Sequence, residues 1–75
     1  MFKVSFVNAD TGKPFSDEFM FLPALPAVGE RVELRDDRSD WRPKAGIVTD
    51  RKWFLFSKDP GSSYVDVLVA LDPKK

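Results

Sequence analysis

The stretch that decides the fold is Tyr64-Val-Asp-Val-Leu-Val-Ala-Leu71, YVDVLVAL. Val65, Val67, Val69 and Leu71 recur at every second residue, the period of a strand and not of a helix. Their β-branched side chains suit a pleated, buried surface. Of the residues between them, Tyr64, Leu68 and Ala70 are also largely apolar, and Asp66 alone marks that second face as wet. A strand greasy on both sides is expected at the centre of a sheet that is covered twice, or with its outer face against a second copy.

Upstream, SKDPGSS (Ser57–Ser63) carries Pro60 and Gly61 and reads as a turn. Before it, AGIVTDRKWFLF (Ala45–Phe56) is one long extended segment, expected to bend near Asp50 or Arg51. DDRSDWRPK is a polar loop, and ERVELR alternates again, with Val32 and Leu34 inward and Glu33 and Arg35 outward. At the start of the chain, FKVSFVN sets Phe2, Val4 and Phe6 against Lys3 and Ser5. NADTGKP supplies turn chemistry, and DEFMFL returns as the second strand of a hairpin that Pro23 ends. A rival reading of SDEFMFLPAL caps a short helical turn with Ser16. Short strands at this spacing, joined by turns, predict one all-β domain over residues 1–75: a small SH3-like barrel of five or six antiparallel strands.

From Pro26 to Leu71, the run PAVGERVEL, a spacer, GIVTDRKWFLF, a turn and VDVLVAL resembles small SH3-like barrels of the KOW type, of bacterial and mobile-element origin. The outline shared is a Gly-x-x-Val opening strand, a variable loop, a long bent strand with an aromatic and a Val-rich closing strand. The resemblance implies a barrel and a bacterial or phage source. It carries no catalytic residue, and the N-terminal hairpin lies outside it.

Composition removes many functions. A chain of 75 residues buries roughly 60% of its unfolded surface, so the seven Phe and two Trp must fill the core efficiently. There is no Cys and no His, hence no thiolate nucleophile, no Ser-His-Asp triad and no ordinary zinc or haem site. DDRSD brings Asp36, Asp37 and Asp40 together, but Arg35 and Arg38 neutralise them and the spacing is not that of a calcium loop. No cofactor and no metal is expected, and the protein reads as a non-enzyme. The longest aliphatic run, VLVAL, is far short of a membrane span, and the N-terminus alternates unlike a signal peptide. The expected place is the cytoplasm, with no membrane partner.

Three features point to binding. Phe19–Val28, FMFLPALPAV, holds no charged or polar side chain in a chain that is 32% charged. Its prolines outline PxxP, but the stronger expectation is that Leu22, Leu25 and Val28 plug the barrel's open end. The remaining apolar residues then meet another chain. The second feature is the outer face of the last strand. The third is basic and aromatic: Trp41, Arg42, Lys44, Arg51, Lys52 and Trp53, with Phe54 and Phe56 nearby, offer cations for phosphates and rings for bases. Lys and Arg number twelve, as do Asp and Glu, so no net basic field supports nucleic acid.

The reading is a non-catalytic protein–protein interaction module, a homodimer or accessory subunit, with Phe19, Phe21, Leu25, Pro26, Trp41 and Tyr64 in contact with the partner. The alternative is a nucleic-acid-binding barrel that uses Trp41, Arg42, Lys44, Arg51, Lys52 and Trp53.

Overall fold

The computed structural model describes residues 1–35 and 44–72. It is all-β. Five strands form one curled half-barrel sheet, consistent with a small SH3-like barrel. They are β1 (Phe2–Asn8), β2 (Met20–Leu22), β3 (Arg31–Leu34), β4 (Lys44–Phe54) and β5 (Tyr64–Leu71), in the spatial order β2-β1-β5-β4-β3. A 3₁₀ turn, Pro60–Ser62, leads into β5.

β5 is the central strand. Val65, Val67 and Val69 are at most 2% exposed and form the core with Val4 and Val48. The period-two alternation of YVDVLVAL therefore does what the sequence implies: one face is packed solid. Phe6, Phe15, Leu22, Leu25, Val32 and Leu71 pack around that centre.

Three of the four pairings are antiparallel, but β1 runs parallel to β5, with Val4 beside Val65 and Phe6 beside Val67. The expectation of antiparallel strands throughout is corrected here. The hairpin sends β2 to the outer edge, so β1's other edge is open to receive the closing strand. A valine-rich strand buried on one face can pair in either direction.

The bend expected in the long strand is a register shift between Val48 and Asp50, where β4 bulges against β5. The hairpin turn is built as NADTGKP suggests. Asn8 Oδ1 accepts from Asp10 N at 2.9 Å, and Gly12, at φ +74°, donates to Asn8 O. Ala27–Glu30 is a type II turn with Gly29 at φ +93° in its third position. Its N–H and the carbonyl of Glu30 both bond to Val48, which ties the proline segment to β4.

The proline segment divides as its sequence implied. Leu22 and Leu25 pack on the valine core, whereas Phe19 and Phe21 are 39% and 62% exposed. Val28, expected in the plug, is exposed instead. Ser16–Phe19 forms no helix: it bulges from the hairpin, with Ser16 Oγ accepting from Glu18 N at 3.2 Å. Trp41 and Arg42, with the DDRSD acids Asp36, Asp37 and Asp40, lie outside the described residues. No described helix is long and apolar enough to cross a membrane.

Candidate functional site

Opposed residues in a ladder share a face. The core face holds Val4, Val65, Val67 and Val69, so the outer face holds the residues between them: Lys3, Ser5 and Val7 on β1, and Tyr64, Asp66, Leu68 and Ala70 on β5. Tyr64 is the hub of this outer face. Phe54 lies directly opposite it on β4, stacked with centroids 4.8 Å apart. Phe19 reaches it from the bulge at 5.1 Å, and Phe56 lies 6.4 Å away.

Local structure explains how Phe56 arrives there. Its N–H donates to Ser63 Oγ at 3.0 Å, and its carbonyl accepts from Asp59 N. Asp59 in turn accepts from Ser62 Oγ at 2.6 Å. The Pro60-Gly61 turn is thereby tied down beside Tyr64.

Two lysines flank the rings. Lys3 Nζ lies 4.6 Å from the Phe19 centroid, and Lys52 Nζ lies 5.1 Å from that of Phe54. Such contacts hold the ammonium groups over the negative faces of the rings. Lys52 also stands opposite Asp66 in the ladder. Partial burial raises the Asp66 pKa from its ordinary value, and Lys52 offsets part of that rise.

The β2 edge of the sheet continues this surface. Met20, Phe21 and Leu22 form an edge strand without a charge, and Phe21 opposes Lys3 on the outer face. The other edge, β3, is guarded: Arg31 and Glu33 lie in it, Glu33 pairs with Arg35 at 3.1 Å, and Arg31 pairs with Asp72. Charged edges resist strand addition; the three-residue β2 edge carries no charge of its own.

Among the residues expected to meet a partner, Phe19, Phe21 and Tyr64 converge on this surface. Leu25 and Pro26 are half-buried, with Leu25 in the core packing. The basic–aromatic group is divided by the sheet. Arg51 and Trp53 oppose Val67 and Val65 on the core-facing side, whereas Lys52 and Phe54 oppose Asp66 and Tyr64 on the outer side. Trp53 is 49% exposed at the sheet's open end, edge-on to Phe2 at 6.0 Å. Lys44 lies 5.8 Å from the Phe15 centroid, away from the Tyr64 hub. Sequence reasoning missed Lys3, Ser5 and Asp66 as neighbours of the aromatic group. Their shared parity in β1 and β5 was a signal, but only the parallel pairing joins them.

Comparison with known proteins finds no matching family model, no matching curated protein and no matching solved structure.

Proposed function

We infer that the protein is a non-catalytic interaction module that docks another polypeptide, a second copy of itself or a larger protein, through the outer face of its sheet and the adjoining β2 edge. One observation carries the reading. Tyr64 gathers Phe19, Phe54 and Phe56 on the face turned away from the valine core, and Phe19, Phe56 and the nearby Phe21 remain 39–62% exposed. Aromatic clusters of this kind anchor protein interfaces, where burying one ring contributes more than most other contacts. Equal numbers of acidic and basic residues leave no net charge to oppose self-association. A chain without Cys suits the cytoplasm of a bacterium or phage-infected cell.

Polypeptide is favoured over nucleic acid because the expected basic–aromatic patch is split between two faces and Asp66 lies among the rings. Light scattering at two widely separated concentrations tests the reading. Mass should rise with concentration, and Phe21→Ser should restore the monomer without unfolding it. A strict monomer removes self-association. A salt-sensitive shift of labelled single-stranded DNA, lost in Lys3→Glu, would reassign the face to nucleic acid.

A further inference from the structure

WFLF, Trp53 to Phe56, leaves the end of β4 with side chains going two ways. Phe54 and Phe56 join Tyr64 on the outer face, whereas Trp53 meets Phe2 on the other side. Phe2, Trp53 and Leu55 line a hollow of about 130 Å³ at this end of the sheet, together with Val65 of the core. Tyr64 also lines the hollow, so it belongs to both apolar groups. Lys3 lines it too, and Phe21 stands opposite Lys3 in the ladder. The outer aromatic group and the hollow therefore form one apolar surface that wraps round the end of the sheet.

The area of this surface bears on what covers it. Phe2, Phe19, Phe21, Trp53, Leu55 and Phe56 are between 38% and 74% exposed, Leu55 the most. At roughly 200 Å² for each whole side chain, they leave about 600 Å² of apolar surface in water. A stable interface buries about 800 Å² per partner, and about two-thirds of a homodimer's contact is apolar, or about 500 Å². The surface is thus as large as a stable dimer needs, and it lies at the top of the range that monomers leave uncovered.

We propose that a second copy of the chain covers this surface in a two-fold dimer, with Leu55 of each copy seated in the hollow beside Phe2 and Trp53 of the other. The proposal rests on the outer face being a docking surface, names its occupant and extends the contact round the end of the sheet. A two-fold axis requires a patch complementary to itself. Here the hollow and the exposed leucine at its rim lie on the same patch. Lys3 is the one charged side chain in the hollow's lining, and its ammonium is held over the Phe19 ring.

The test is sedimentation equilibrium of the full chain from roughly 1 µM to 1 mM, with Trp53 as the reporter. The chain has two tryptophans, so Trp41→Phe leaves Trp53 as the only one. The mass should double from 8.5 kDa, and Trp53 emission should move to the blue in step with it. Leu55→Ser should weaken dimerisation tenfold or more, by roughly the burial of one leucine in each copy. Because Leu55 is exposed, the urea midpoint of the dilute variant should match that of the dilute wild type. A mass fixed at one copy overturns the proposal and gives the outer face to a different protein. A dimer that Phe21→Ser dissociates and Leu55→Ser does not, with constant Trp53 emission, overturns the proposal and leaves the outer-face reading in place. A dimer insensitive to both substitutions overturns both.

Discussion

The rings of Phe54 and Tyr64 stack across the β4–β5 ladder at 4.8 Å and 16° from parallel, on the face opposite the valine core. The pair ties the far end of the long bent strand to the central strand, so it serves stability as well as display. A double-mutant cycle of Phe54→Ala and Tyr64→Ala should give a coupling of about 0.5–1.5 kcal/mol in urea unfolding. Additive losses would mean that the rings do not interact in solution.

Gly46 marks the tightest approach in the sheet. A Cβ there would meet the backbone of β5, with Ala70 C at 2.8 Å and Leu71 Cα at 2.9 Å. Backbone cannot step aside as a flexible side chain can. Gly46→Ala should therefore cost about 1–3 kcal/mol, read as a lower urea midpoint. An unchanged midpoint would show that β4 and β5 are further apart than described.

Val67 has no exposed surface at the centre of the core. Val67→Ala removes two methyl groups and leaves a cavity, an expected loss of about 2–3 kcal/mol. For a domain of this size that is a large share of total stability. Ile47, 43% exposed on the same sheet, is the control: Ile47→Ala should shift the urea midpoint much less.

Asp66 supplies the pH dependence. Partial burial raises its folded pKa, so between the ordinary aspartate pKa and the raised one the native state holds more proton than the unfolded state. Its contribution to stability is therefore greatest at acid pH and falls as pH climbs through that window. Asp66→Asn removes the titration. The urea midpoint of wild type relative to the variant should decline from acid to neutral pH, and a difference that rises instead would mean that Lys52 outweighs burial.

The alternation in FKVSFVN, ERVELR and YVDVLVAL was enough by itself to establish an all-β chain with Val4, Leu34, Val65, Val67 and Val69 inward, because side-chain direction in a strand follows from its parity. The bend near Asp50 and the turn at Pro60-Gly61 were legible for the same local reason: their cues lie within a few residues of where they act. The parallel seating of β1 on β5 and the meeting of Phe19 and Phe56 at Tyr64 were decided only in three dimensions. Backbone hydrogen bonds look alike in every strand and name no partner. Which strands adjoin is settled by how the whole chain closes its core, and the surface left outside follows from that closure.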